Sequence, residues 1–183
     1  AHNLVVSMPG LGSLRKFGTV AANHDNATLA LKSGAALLVY PGGDYEVFRP
    51  SWKRHEVDFG GRKGYVKLAR EAGVPIVPIA SVGGQEAALF LDRGQWLARL
   101  LQVDKIARLK SVPILLAPPW GLAVSDMVPR LPLPTKIVIE VQEPIDADDI
   151  AAGDDETIHD RVEGALQSAV DRLAAERRFP VLG

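Results

Sequence analysis

The chain has 183 residues, 21 Lys and Arg against 22 Asp and Glu, a net charge of −1 and 47% hydrophobic residues, the size and balance of one ordinary globular domain with its own core. It has no cysteine, which excludes disulfides and thiolate metal sites, and its four histidines, His2, His24, His55 and His159, are too scattered for a zinc motif. No run approaches the roughly 18 apolar residues of a membrane span, and Ala1-His2-Asn3-Leu4-Val5-Val6 lacks the basic and apolar regions of a secretory signal.

Taken in order, Pro9-Gly10-Leu11-Gly12 reads as a turn, and Ser13-Leu14-Arg15-Lys16-Phe17 as a short helix closing at Gly18. Thr19 to Ala22 suit a short strand. Asn23-His24-Asp25-Asn26 offer side-chain oxygens for an N-cap, so a helix should run to Ser33 and end at Gly34, with His24 a capping-turn residue. Leu37-Leu38-Val39-Tyr40 is an unbroken apolar run and predicts a strand buried on both faces. Pro41 ends it, because proline cannot extend a central ladder.

The corner Pro41-Gly42-Gly43-Asp44-Tyr45-Glu46 is either an ordinary turn or a ligand loop: its glycines allow close backbone approach, and Asp44 and Glu46 bring carboxylates to the same edge. Phe48 to His55 mixes aromatics and cations without a period and predicts an exposed loop. Residues 65, 66, 68, 69 and 72 stripe a helix that stops at Gly73 and begins near Arg62 and Lys63. Cations are unfavourable in a first helical turn, so these two point either to an anion site or to a carboxylate contact such as Asp58. From Arg49 to Arg70 there are seven Lys and Arg against Glu56 and Asp58. Such a patch suits an anionic ligand, a membrane surface, nucleic acid or simple solvation.

Val74 to Val82 predicts a second buried strand, ending in Gly83-Gly84-Gln85-Glu86, so a strand followed by a glycine pair and an acid occurs twice. In open α/β sheets such strand ends face a ligand crevice. Ala87 to Leu91 and Gln95 to Leu109 look helical, and Trp96, Leu100 and Leu101 face either the sheet or a membrane. Val112 to Ala117 is a third buried run, followed by an apolar loop, Pro118-Pro119-Trp120-Gly121-Leu122. Lys136 to Val141 is a strand, and Asp154 to about Arg178 a long helix with acids first and arginines last. No internal repeat or long linker appears, and residues 1–183 read as a single domain.

Side by side, Val39 to Glu46, Phe59-Gly60-Gly61-Arg62-Lys63-Gly64-Tyr65-Val66-Lys67-Leu68-Ala69 and Gly73 to Glu86 resemble the glycerolipid acyltransferases of the H-x4-D class. The likeness is to the branch of diacylglycerol and monoacylglycerol acyltransferases and their bacterial relatives, and Met8 to Gly12, Phe17-Gly18 and Pro118 to Gly121 extend it. The resemblance implies an α/β fold, a mixed and largely parallel sheet flanked by helices. It implies acyl-CoA as donor substrate with no resident cofactor, a glycerolipid hydroxyl as acceptor, and peripheral attachment at the cytoplasmic face of a membrane, with no nucleic acid partner. The expected substrate-binding residues are Pro41, Gly42, Gly43, Asp44, Glu46, Arg49, Arg62, Lys63, Gly83, Gly84, Gln85 and Glu86.

Two departures bear on that reading. Lysophosphatidate-type members carry Pro-Glu-Gly-Thr-Arg where this chain has Pro41-Gly42-Gly43-Asp44-Tyr45, so the phosphate-gripping arginine is missing. The residue five positions after each histidine is Ser7, Leu29, Gly60 or Gly164, never aspartate. Attack by an alcohol on a thioester needs a base, usually an imidazole oriented by a carboxylate. The expectation is therefore the carboxyl-terminal portion of an acyltransferase, truncated at the amino end and prone to self-association through the truncated edge. The rival reading is a non-catalytic lipid- or acyl-CoA-binding module. A hydrolase lacks support because there is no Gly-x-Ser-x-Gly.

Overall fold

The computed structural model describes residues 16, 18–100, 111–117, 121–124 and 131–177. The turn predicted at residues 9–12, nearly all of the helix at 13–17, the helix beyond Leu100 and the loop at 118–120 lie outside them. The described helices are α1 (His24–Lys32), α2 (Gly43–Val47), α3 (Gly64–Ala72), α4 (Gln95–Leu100), α5 (Ala147–Ala152) and α6 (Asp155–Glu176). The strands are β1 (Ile79–Val82), β2 (Leu89–Asp92), β3 (Ile114–Ala117), β4 (Gly121–Val124) and β5 (Val138–Val141).

The sheet expectation is corrected. The fold is mixed α/β, but β1 pairs antiparallel with β5, with Ala80 opposite Glu140, and β2, β3 and β4 form a separate antiparallel sheet. Unbroken apolar runs suggested strands buried on both faces. Here β1 and β5 instead alternate, turning Ala80, Val82 and Val138 towards α6 and Ile79 and Ile139 outward.

Residues 35–40 form no strand, and Leu38 and Tyr40 are exposed. The run has the residue types of a strand buried on both faces, but no described strand pairs with it. Thr19 to Ala22 is likewise irregular, and Ala87 to Leu91, expected to be helical, ends a 3-10 turn (Gly84–Ala87) and enters β2. There Ala88 and Phe90 point inward and Leu89 and Leu91 outward, the two-residue period of a strand. The loop expected to be exposed at 48–55 contains a 3-10 turn (Ser51–Lys53), and Arg49 and Pro50 are buried.

The capping signals hold, but α6 ends at Glu176 with no basic residue in its last turn, Arg177 being its C-cap. Asn23 caps α1 by accepting from the Asn26 amide at 2.8 Å, and Asp154 caps α6 by accepting from Thr157 at 2.7 Å. Helix α3 ends on Gly73 at φ 63°, where the Gly73 and Val74 amides reach back to Arg70 and Ala69, the paired bonds of a left-handed glycine cap.

The largest core gathers Phe59, Val66, Ala69, Ile145, Ile150, Ile158 and Val162 from α3, α5, α6 and the chain between them. Half-buried Val57 and Leu166 join it to the β1–β5 core of Ala80, Val82, Ala169, Val170 and Leu173. Among the described residues the segment 56–59 has no ladder partner. Side chains of α6 serve instead: Gln167 accepts from the Val57 amide at 2.8 Å and donates to the His55 carbonyl at 2.9 Å, and Glu163 accepts from Phe59 at 2.9 Å.

Candidate functional site

Helix α2 is short enough that its hydrogen bonds leave most of its carbonyls unpaired within it, and these need donors from elsewhere. Three side chains supply them, and a fourth, Arg62, adds a donor to the carbonyl of the N-cap Gly42, which already accepts from the Tyr45 and Glu46 amides. Arg62 donates to the Gly42 carbonyl at 2.6 Å, Arg93 to Tyr45 at 3.0 Å, Arg49 to Glu46 at 2.9 Å, and Gln85 to Glu46 and Val47 at 2.8 and 3.1 Å. The guanidinium groups of Arg49 and Arg93 suit the carbonyl end of a helix because the partial charge there is negative, whereas Arg62 lies at the opposite end. Arg93 also lies over the Tyr45 ring, 3.9 Å from its centroid, and the Tyr45 hydroxyl donates to Asp58 at 3.0 Å. The corner is thus held by polar contacts to its backbone.

Its glycines permit the fit. A Cβ on Gly42 would stand 2.5 Å from the Cβ of Glu46. Gly83 has φ 108°, and a Cβ there would meet the Lys136 carbonyl at 2.1 Å.

The structure brings Gly42, Gly43, Asp44, Glu46, Arg49, Arg62 and Gln85 together. Arg62 bonds Asp44 at 2.8 Å, with about a third of each side chain exposed. Buried Arg49 pairs with Glu46 at 2.6 Å. Burial nevertheless pushes the Glu46 carboxyl above the ordinary range, and the neighbouring Arg49 offsets only part of that rise. Pro41 leads into the corner, and Gly83 and Gly84 open the turn that carries Gln85.

Two expected members turn elsewhere. Lys63 pairs with Glu156 on α6. Glu86 is buried between Arg54 at 3.3 Å and Arg177 at 2.9 Å. Asp58 takes neither Arg62 nor Lys63; it accepts from Tyr45 and the Gly60 amide. Of Arg62 and Lys63, therefore, only Arg62 stays at the corner, paired with Asp44. Sequence reasoning missed Arg93 and Tyr45, which meet across 48 positions with no local pattern to mark them.

Three histidines are described. His24 Nε2 is 2.7 Å from Glu71 Oε2, near the far end of α3 from Arg62, so roughly 10 Å of helix separates the pair from the corner. Burial pushes His55 below its ordinary value, with Arg54 adding to the effect. His159 is buried beside Phe59 and Tyr65, its Nδ1 3.1 Å from the Tyr65 hydroxyl and its Nε2 3.5 Å from Glu163. Burial and the nearby Glu163 raise the Tyr65 phenol well above its usual value, keeping it protonated. Among the described residues no group of histidines and carboxylates could hold a metal ion, and no helix is long and apolar enough to cross a membrane.

Comparison with known proteins supplies what geometry alone does not. The family model described as diacylglycerol acyltransferase matches residues 13–176. The chain is 32% identical over 183 residues to an uncharacterized protein of Mycobacterium leprae, covering 96% of this chain and 47% of that protein. It is 31% identical over 185 residues to uncharacterized proteins of Mycobacterium bovis and Mycobacterium tuberculosis, covering 97% of this chain and 49% of each. The chain spans about half the length of these curated relatives. No solved structure matches it.

Proposed function

Because the chain belongs to the diacylglycerol acyltransferase family, as the match over residues 13–176 shows, we propose that it serves the transfer of a fatty acyl group from acyl-CoA to a glycerolipid hydroxyl. The family match carries this reading. The reaction is of the H-x4-D type, with acyl-CoA as substrate, no resident cofactor, and the protein held peripherally at the cytoplasmic face of a membrane. Residues 41–49 with Arg62 and Gln85 form the substrate-facing corner. A phosphate of CoA takes the place of Asp44 on Arg62, an exchange made easy because both side chains are partly exposed. Gly42 and Gly43 let the ligand approach the backbone.

The nucleophilic hydroxyl still needs a base, whose contribution is typically about 100- to 10,000-fold. No histidine of this chain has an aspartate five positions on. The nearest likeness, His24 with Glu71, ties α1 to α3 away from the corner. We therefore assign the base to sequence beyond these 183 residues, a reading supported by relatives about twice as long. The same absence favours a second reading, a binding module that does no chemistry.

The test is to incubate the 183-residue protein with acyl-CoA and mono- or diacylglycerol and follow thiol release and acylated product. The proposal expects binding without turnover, and turnover from a longer polypeptide that carries an H-x4-D motif. Product from the 183 residues alone, abolished by His24→Ala, would place the base in this chain. A longer polypeptide that binds but never transfers would favour the binding module.

A further inference from the structure

Three arginines meet the corner, and two of them have a carboxylate: Arg49 pairs with Glu46 and Arg62 with Asp44. Arg93 does not. Its Nε–H donates to the Tyr45 carbonyl, and its guanidinium lies over the Tyr45 ring. Among the described residues no carboxylate pairs with it, and its terminal nitrogens, Nη1 and Nη2, make no hydrogen bond. The acids that could serve are engaged elsewhere. Asp92 accepts from the Gly94 amide at 2.5 Å, and Asp58 from the Tyr45 hydroxyl and the Gly60 amide. Arg93 is half-buried, and a cation partly withdrawn from water gains when a counter-ion returns the lost solvation.

The chain also fixes where this cation stands. The pairing of β2 with β3 slips between Phe90 and Asp92, and such a bulge re-aims the side chains beside it. Asp92 then closes a tight turn onto Gly94, whose φ is 61° and where a Cβ would collide with the Val112 carbonyl. Tyr45, the other support, is held by Asp58 and by Gly60, where a Cβ would crowd its ring at 3.1 Å. Arg62 and Arg93 donate to the carbonyls of Gly42 and Tyr45, positions within one turn of the same helix, about 4.5 Å apart along its axis. Two guanidinium groups held this way suit an anion with two linked phosphates, each of which a guanidinium can grip with paired donors.

We propose that Arg93 is a second anion-binding residue of the corner and that Arg62 and Arg93 together hold the diphosphate of the acyl-CoA donor. The identity of the donor rests on the acyltransferase reading; the anion site rests on the unpaired guanidinium. Nη1 and Nη2 donate side by side to one phosphate while Nε keeps the Tyr45 carbonyl.

The test compares two ligands by calorimetry, a non-hydrolysable acyl-CoA analogue and the matching acyl-pantetheine, which has the same acyl arm and no phosphate. Arg93→Gln should weaken the first about tenfold, as expected for a lost charged hydrogen bond, and leave the second unchanged. The affinity that remains for the acyl-CoA analogue should fall less steeply with added salt. If the variant does not fold, as judged by circular dichroism, the native protein decides: inorganic diphosphate should shift the Nη resonances of Arg93 in nitrogen-15 spectra, and unmoved resonances overturn the proposal.

Equal weakening of both ligands overturns it, because Arg93 would then only support the Tyr45 backbone. Equal affinity of the native and Arg93→Gln proteins for the acyl-CoA analogue overturns it too and leaves the acyltransferase reading standing. Absence of any binding of the analogue to the native protein removes that reading, and the diphosphate titration then decides the anion site alone.

Discussion

The layer formed by α3, α5 and α6 and the corner at residues 41–49 belong to one chain but rest on different forces. In the first, Val66 and Ile150 are completely buried among Phe59, Ile145, Ile158 and Val162, and apolar burial is the main stabilising term. In the second, α2 has no fully buried side chain, and the corner is held by donors from Arg49, Gln85 and Arg93 to the carbonyls of α2 and from Arg62 to that of Gly42 before it. A layer of the first kind tolerates little change and makes a rigid base. Among the contacts of the second kind, the partly exposed Arg62–Asp44 pair is the one that a charged ligand would exchange with under the proposed function.

The comparison breaks most readily in the core. Ile150→Ala should destabilise the fold by about 2–5 kcal/mol, the usual cost of lost burial and a residual cavity, measured as a lowered urea midpoint. A cost below about 1 kcal/mol would mean that the layer is looser than its burial indicates.

Arg49→Ala comes next, because it strands the Glu46 carboxylate in a site whose burial already disfavours charge. The expected loss is about 1–3 kcal/mol. Adding Glu46→Gln should recover part of it, and a double-mutant cycle with no coupling would contradict the pairing.

Arg62→Gln sharpens the contrast from the other side. Its partner is about one third exposed, so the fold should lose less than about 1 kcal/mol while acyl-CoA binding weakens. A large fall in melting temperature with unchanged binding would make Arg62 a purely structural clamp.

The smallest effect concerns pH. Hydrogen bonds from Arg172 at 2.6 and 2.5 Å, with help from Gln142, hold the Glu140 carboxyl down at about 2. A carboxylate with a depressed value stabilises the fold above its unfolded value and loses that contribution as pH falls towards the folded value. The melting-temperature gap between the native protein and Glu140→Gln should therefore be present at neutral pH and close as pH falls towards 2. A gap that widened in acid would have the wrong sign.

What could be read from the sequence follows the same division. Caps are local, so Asn23, Gly73 and Asp154 mark their helix ends in sequence and in space. Strand pairing is not local. Leu37 to Tyr40 have the residue types of a buried strand, yet burial on both faces needs neighbours that a run of letters does not contain, and Leu38 and Tyr40 stand exposed. The parallel sheet failed for the same reason, since direction depends on which strands meet.

At the corner, the motif spacing marked Arg62 and the glycines as neighbours, but the carboxylate that Arg62 takes is Asp44 and not the Asp58 that the sequence suggested. Lys63 and Glu86 were misplaced because their choice of partner, Glu156 for one and Arg54 with Arg177 for the other, is decided by long-range packing.

The most direct measurement of the central claim is equilibrium binding of a non-hydrolysable acyl-CoA analogue to the 183-residue protein and to its Arg62→Gln variant. The account predicts saturable binding that the substitution weakens about tenfold, as expected for a lost charged hydrogen bond, with circular dichroism and melting temperature nearly unchanged. Equal affinity in both proteins, or no saturable binding in either, would contradict it.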